Sequence, residues 1–369
     1  MRHLRIGNGR GPRCLQSKSL LDYDARLECS IGAGREMPDI VAHAFSDPDQ
    51  FYSAIRNWVE GFVTERGDYR AEFTRVDFSR LWISRGEESL ARVVTVTPRV
   101  ERTTILFGTD QDQPALRVAG IEVAPDEAAV ISFGSADHVW SPEASRWGGI
   151  SLAREDLAAL GQAISGREVM PPSFTHRIKP STSAFLRLRH LHKGARHLAK
   201  KAPDILAKPE VARAMEEALA EAMVLCLASA EPANVRSTHV HHATVLRRFE
   251  DVIRANPDQT LYISQLCAAT GVPERTLLAC CHEHLGMGPK RYLVLRRMHL
   301  ARRALLMAEP EATTVTEIAT NYGFWELGRF SVVYRSLFGE TPSASLRRSP
   351  DDRQPRKSKG SPRQLAEIA

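Results

Sequence analysis

Long apolar runs are missing from this 369-residue chain. No stretch approaches the roughly 18 apolar residues a bilayer-spanning helix needs, which excludes a helical membrane protein. Residues 1–15 are basic but hold no continuous apolar segment, so no secretory leader is expected. Cysteine is scarce: the six (Cys14, Cys29, Cys226, Cys267, Cys280, Cys281) form no Cys-x-x-Cys pair. That spacing excludes a disulfide framework and fits a reducing cytoplasm. Neither a Gly-x-x-x-x-Gly-Lys phosphate loop nor a Gly-x-Ser-x-Gly nucleophile elbow occurs. Residues 42–166 hold two histidines, His43 and His138, and no His-x-His pair, which is short of a metal-binding set of two histidines and a carboxylate. No enzyme, catalytic residue, metal or cofactor is therefore expected.

Other features are ordinary for a globular protein, with 43% hydrophobic and 25% charged residues. The length suits about two domains, each able to bury a core without staples. Charge is unevenly placed. Lys+Arg balance Asp+Glu over residues 1–240, whereas residues 241–348 carry 14 basic against 10 acidic and residues 349–369 carry 5 against 3. The whole net charge of +6 sits in the last third, which suits an acidic partner such as nucleic acid.

Residues 1–35 read as a loose extension. From 36 to 180 the text is that of a β-rich domain, with flanking helices expected at 49–64 and 151–164. Short segments rich in β-branched and aromatic residues recur at 69–78, 80–83, 91–96, 103–107, 116–123 and 129–133. Turn signals such as Arg85-Gly86 and Ala124-Pro125-Asp126 separate them. The pattern predicts a β-sandwich or a small barrel. Beyond Pro171-Pro172, residues 181–238 predict two helices and a linker. One apolar stripe contains Phe185, Leu188, Leu191, Ala195 and Leu198, the other Val211, Met215, Leu219, Met223 and Cys226. Such stripes serve as core or as a dimerising helix pair. The basic side of the first helix reads as a solvated face. Residues 349–364 lack apolar content, and 349–369 read as a disordered basic tail.

The segment 239–348 is helical throughout, and it repeats. Ile263-Ser-Gln-Leu-Cys-Ala-Ala-Thr-Gly271 aligns with Val315-Thr-Glu-Ile-Ala-Thr-Asn-Tyr-Gly323. One residue further out of step, Leu277 matches Phe330, Cys281 matches Tyr334, Gly286 matches Gly339 and Pro289 matches Pro342. Each copy has the grammar of a helix-turn-helix: a short helix, a glycine supplying positive φ, then a second helix with one inward face. Residues 289–307 between the copies carry apolar positions at helical spacing. As a helix they would span about 28 Å, near the ~34 Å between successive major-groove segments on one side of B-DNA.

On these residues the segment 241–348 resembles the AraC/XylS family DNA-binding domain, two helix-turn-helix units joined by a central helix. The likeness is carried by Leu266-Cys-Ala-Ala-Thr-Gly271-Val, Gly286-Met-Gly288-Pro289-Lys-Arg-Tyr292-Leu, Thr316-Glu-Ile318-Ala-Thr-Asn-Tyr322-Gly323-Phe, and the run from Trp325 to Ser343 through Gly328-Arg329-Phe330 and Phe338-Gly339-Glu-Thr-Pro342. Residues 42–166, with Trp147-Gly-Gly-Ile-Ser-Leu152, resemble the cupin-like regulatory domain that many such regulators carry. The expected architecture is therefore α+β in two domains.

The resemblance implies a sequence-specific transcription regulator, usually an activator, with recognition helices near 274–285 and 327–338. Implied partners are operator or promoter DNA, a small-molecule effector, a second copy of the chain and RNA polymerase, with no membrane. By position Arg275, Thr276, Leu278 and Ala279 face DNA from the first unit, and Gly328, Arg329, Val332 and Arg335 from the second. Arg275 and Arg329 suit bidentate binding to guanine, against phosphate contact or solvation as alternatives, whereas Lys290, Arg291 and Ser331 suit phosphates. Leu278 and Ala279 cannot donate hydrogen bonds and at best touch a thymine methyl.

Other constellations are weaker. His138, Trp140 and Trp147 are candidates to line a ligand pocket, or to pack a domain end. His239-Val-His241-His242 reads as a solvated linker, and Cys280, Cys281 and His284 as core rather than a metal or redox site. Two other designs remain open: a first domain that only dimerises or binds a protein, and a metal-dependent barrel enzyme fused to a DNA-binding module.

Overall fold

The computed structural model describes residues 37–55, 58–97, 102–132, 136–166, 168–170, 174–230, 237–256 and 261–348. The extension over 1–35, the tail over 349–369 and most of the 230–238 linker lie outside the described residues.

Among the described residues twelve strands build two antiparallel sheets. The first sheet has the order β1 (Asp39–Phe45), β3 (Ala71–Asp77), β4 (Leu81–Glu88), β11 (Ser145–Ala153), β6 (Arg102–Gly108), β9 (Ala128–Ile131), β12 (His176–Ile178). The second has the order β2 (Trp58–Val63), β5 (Arg92–Thr97), β10 (Asp137–Ser141), β7 (Leu116–Val118), β8 (Ile121–Val123). No closed barrel forms among the described residues; of barrel and sandwich, the chain takes the sandwich.

Alternation along the strands explains the layering, because successive side chains point to opposite faces. In β6, Ile105 and Phe107 join one core while Leu106 joins another. In β9, Ala128 and Val130 lie on the first side and Ala129 and Ile131 on the second. The second side is the sandwich interior, shared with Phe51, Phe73, Val94 and Val139. The first is covered by helices: α2 (Arg154–Ser165), α3 (Thr182–Lys201) and, after the short α4 (Pro203–Leu206), α5 (Pro209–Ala228). The stripes of α3 and α5 that suited either a core or a dimer seam are thus packed on the seven-stranded sheet through Phe185, Leu188, Leu219 and Met223. On the basic side of α3, Arg196 and Lys200 pair with Glu72, and Arg187 pairs with Glu221.

The phrase Trp147-Gly-Gly has a packing reason. A Cβ on Gly148 would lie 2.9 Å from the Phe107 ring and 3.0 Å from His192, and one on Gly149 would lie 2.8 Å from Ser84 Oγ. The bare backbone lets His192 reach through from α3, its Nε2–H donating to Ser84 O at 3.0 Å and to Gly149 O at 3.3 Å. Full burial pushes the His192 imidazole down to about 4.

Three expectations need correction. The helix over 49–64 is only α1 (Pro48–Ala54), capped by Asp47 Oδ1, which accepts from Asp49 N at 2.9 Å. Residues 58–63 instead form β2, held by pairing with β5 from Val63↔Arg92 to Trp58↔Thr97. Tertiary pairing overrides a local pattern there, since both faces of β2 are buried and its apolar residues fit either period. The strand over 116–123 is a hairpin, turned at Ala119 (φ 50°) and Gly120 (φ 78°). The helix expected over 151–164 begins at Arg154, because Ser151–Ala153 extend β11.

Candidate nucleic-acid interface

The C-terminal segment starts with α6 (Ser237–Ala255) and contains two copies of one unit. The first is α7 (Ile263–Thr270) and α8 (Glu274–Leu285); the second is α10 (Val315–Asn321) and α11 (Leu327–Phe338). α9 (Pro289–Met307) joins them with 19 residues, and α12 (Pro342–Leu346) closes the second copy. The repeat read in the sequence is present in the backbone. Gly271 and Gly323 turn between the helices of each unit at φ 73° and 74°, and Gly286 and Gly339 end the second helices at 69° and 76°. These left-handed positions are what glycine reaches without a Cβ clash, and they close the helices through N–H bonds such as Gly271 N to Cys267 O.

Each second helix buries one face. Leu277 and Cys281 are fully enclosed with Leu266, Phe249 and Tyr292, and Phe330 and Tyr334 with Ile318, Ala319 and Met298. Tyr334 fixes the second unit further, its hydroxyl donating to Ser345 Oγ at 2.7 Å. Burial raises the thiol of Cys280 to about 11 and also raises that of Cys281, which is the behaviour of inert packing residues.

The opposite faces are open. Arg275, Leu278 and Ala279 are exposed on α8, with Thr276 half-buried; Gly328, Arg329, Ser331, Val332 and Arg335 are exposed on α11; Lys290 and Arg291 are exposed at the start of α9. Among the described residues Arg329 meets only its neighbour Glu326, at 3.9 Å on an exposed surface, a weak pair that a phosphate or base edge would displace. Sequence reasoning passed over Trp325, 75% exposed just ahead of α11, and Leu327 beside it. The signal was available: an aromatic at a helix entrance whose periodicity gives it no inward position.

A helix-turn-helix family profile, described as "Helix-turn-helix domain", matches residues 266–348. The chain is 39% identical over 106 residues to the probable thc operon regulatory protein of Rhodococcus erythropolis, covering 29% of this chain and 32% of that one. It is 34% identical over 113 residues to XylDLEGF operon transcriptional activator 3 of Pseudomonas putida, covering 31% and 34%. Over this C-terminal segment the chain is similar to XylS-type transcriptional activators. The chain thus spans about a third of the length of these curated relatives. Among solved structures, the AraC-like transcriptional activator CuxR aligns over 77% of this chain and all of that one, at 14% identity and a TM-score of 0.38.

The helix-turn-helix domain does not stand clear of the sandwich. Strands β2, β5 and β10 turn Val59, Val94, Val96 and Val139 inward and present Glu60, Phe62, Val93, His138 and Trp140 on the outer face. Phe62 and Val93 belong to the same core as Leu277, Leu285 and Tyr292. Trp140 lies over Gly286, where a Cβ would come within 2.1 Å of its ring. Candidate ligand residues His138 and Trp140 therefore sit at this seam, whereas Trp147 lines the sandwich interior.

Charge completes the seam. Glu250 on α6 is 3% exposed; its Oε1 lies 3.1 Å from His138 Nε2 and accepts the Tyr292 hydroxyl at 2.7 Å. Burial opposes its ionisation, but the hydrogen bond and charge of His138, the Tyr292 hydroxyl and Arg296 outweigh that and hold it at about 2. Arg296 reaches Glu60 at 3.4 Å, and Arg303 reaches Asp49 at 2.6 Å and Gly61 O at 3.1 Å. Arg302 meets Asp47 at 3.1 Å and, on its other side, Glu340 of the second unit at 3.9 Å. His299 Nε2–H donates to Val63 O at 3.0 Å, and burial with the nearby Arg303 and Arg302 depresses its imidazole to about 3. Partners such as Glu60 and Arg296 lie 236 positions apart, so no local pattern announces them.

Among the described residues no cluster of His, Cys, Asp and Glu could hold a metal ion, and no helix is long and apolar enough to cross a membrane. His242 Nδ1 lies 2.5 Å from Glu283 instead.

Proposed function

We propose that the protein is a sequence-specific, DNA-binding transcription regulator of the activator type, acting in the cytoplasm as a homodimer that contacts RNA polymerase. In this reading α8 and α11 enter adjacent major-groove segments, and the sandwich is a cupin-like sensor domain whose effector biases how the α9-linked units meet DNA. The observation that carries the proposal is the pair of second helices, each with an apolar face packed inward and an unpacked face outward that exposes Arg275 on α8 and Arg329 and Arg335 on α11. Matches to curated transcriptional activators support it. The length of α9, about 28 Å at 1.5 Å per residue, supports placing both units on one side of a duplex. The contact of the sandwich with α6, α8 and α9 supports communication between the domains.

The test is selection of bound duplexes from a random pool by the full chain, followed by titration of the winner and its single-base variants. Arg329→Ala is expected to weaken the selected site by roughly 1–3 kcal/mol and to flatten preference at one base pair. A pool that yields no enriched sequence would overturn the reading; an unchanged preference profile would remove Arg329 as a base reader.

A further inference from the structure

The sandwich interior contains a cavity of about 130 Å³. Phe73, Trp147, Val94, Leu106, Ile131 and Val139 form its apolar wall. Two glycines make room for the rings around it. A Cβ on Gly86 would lie 2.4 Å from the Trp147 ring, and one on Gly61 would lie 2.6 Å from Tyr52. For scale, an engineered apolar cavity of ~150 Å³ holds one benzene.

One wall is charged, although the region is buried. Arg92, 1% exposed, and Glu88, 4% exposed, are joined at 2.7 Å between Nε and Oε1. Glu88 is fully occupied: Oε2 accepts the Tyr52 hydroxyl at 2.8 Å and the Tyr69 hydroxyl at 3.0 Å, and Oε1 accepts Trp147 Nε1–H at 3.3 Å as well as Arg92. Burial and the Glu88 charge push both tyrosines up, so they remain donors. Arg92 is not fully occupied. Its Nη2 donates to Ser145 Oγ at 2.6 Å, while Nη1 has no hydrogen-bond partner among the described residues. An unmade bond on a buried guanidinium is costly, and a ligand atom that accepts it recovers that cost.

We infer that this cavity binds a neutral, single-ring aromatic molecule carrying one hydrogen-bond acceptor, such as a carbonyl, which takes Arg92 Nη1–H. The volume admits about one ring. The charge state follows from the wall: Glu88 already balances Arg92, and Arg75 is paired with Asp77 at 3.0 Å. A carboxylate ligand would bring an uncompensated charge into an apolar enclosure, which desolvation disfavours. The proposal rests on reading the sandwich as a sensor and supplies its ligand class. It also gives the ligand a route to the DNA-binding units, because the wall is one sheet thick. Val94 and Val139 face the cavity, and their chain neighbours Val93 and His138 touch the C-terminal domain.

The test uses the full wild-type chain and three probes, benzamide, benzoate and toluene, in calorimetric titration and thermal shift. Benzamide is expected to bind and raise the Tm with concentration, as mass action requires. Benzoate and toluene are each expected to bind at least tenfold more weakly. Val94→Phe, which fills the cavity, should abolish the benzamide response while leaving DNA binding measurable. No response to any probe overturns the site. Benzoate equal to or tighter than benzamide overturns the charge argument, and toluene equal to benzamide overturns the role of Arg92. Since the probe series needs no variant, a misfolded Val94→Phe does not shelter the proposal. DNA selection on the same preparation separates its failure from failure of the regulator reading.

Discussion

Glu250 is the point at which the seam between sandwich and helix-turn-helix domain can be broken with least disturbance. It is buried, it takes its two hydrogen bonds from different domains, and the two donors, His138 and Tyr292, share one carboxylate oxygen. Glu250→Gln keeps the shape and an acceptor for Tyr292 but removes the charge that His138 faces. A hydrogen bond to a charged group contributes roughly 1.5–3 kcal/mol, so about one such contribution should disappear. Glu250→Ala also orphans both donors and should cost about 3–5 kcal/mol, the range for breaking a buried pair. The chain contains more than one core, so a global unfolding midpoint does not isolate the seam. Hydrogen exchange of the β2, β10 and α9 amides reads the seam directly. At ~1.4 kcal/mol per tenfold, Glu250→Gln should accelerate exchange there by about 10- to 100-fold while the amides of β3 and β4 stay protected. A double-mutant cycle with His138→Gln should return a coupling of at least ~0.5 kcal/mol, as expected for contacting residues. Unchanged exchange together with zero coupling at pH 7.5 would refute the view that this carboxylate ties the domains. The pH sign is fixed by the depressed value: with the folded carboxyl at about 2 and the ordinary one at 4.5, its stabilisation is complete above 4.5 and lost as pH falls toward 2.

Three further outcomes follow from particular residues. Gly286→Ala, at φ 69° and under the Trp140 ring, should destabilise the seam by about 1–3 kcal/mol from backbone strain alone, and an unshifted Trp fluorescence and exchange profile would contradict that packing. His192 and His299 stay neutral in the fold, with values of about 4 and about 3 against an ordinary 6.5. The unfolded chain therefore binds the extra protons below 6.5, and the Tm should fall as pH drops from 6.5 toward 4; a flat profile over that range would show that these rings are solvated. Lys290→Ala should weaken all duplexes alike and reduce the salt slope of binding by about one unit, so an unmoved slope would remove it from the phosphate contacts.

The repeat shows how far sequence reasoning reaches and where it stops. Glycine at 271 and 323 meant positive φ, and both adopt it; Gly286 and Gly339, which the repeat only aligned, adopt it as well. Leu277, Cys281, Phe330 and Tyr334 were inward by periodicity, and all four are buried. Both are local properties, set by sterics over one turn or by period along one helix. Residues 58–63 show the limit: their helix-compatible pattern became a strand because β5 supplies hydrogen bonds and two cores claim its faces. His138 and Trp140 were legible as notable side chains but not as seam residues, since strand alternation needs a register and the register comes from β5.

The sequence by itself determined the duplicated helical units, the helix that joins them and the exposed basic positions. These follow from backbone sterics and from an apolar period within single elements. Tertiary structure alone decided which face of the second sheet meets the helices, that Glu60 and Asp49 hold arginines of α9, and that Arg92 is enclosed with a donor left over. Those outcomes join residues far apart in the chain, where the free energy comes from excluding water between surfaces that no local stretch of sequence defines.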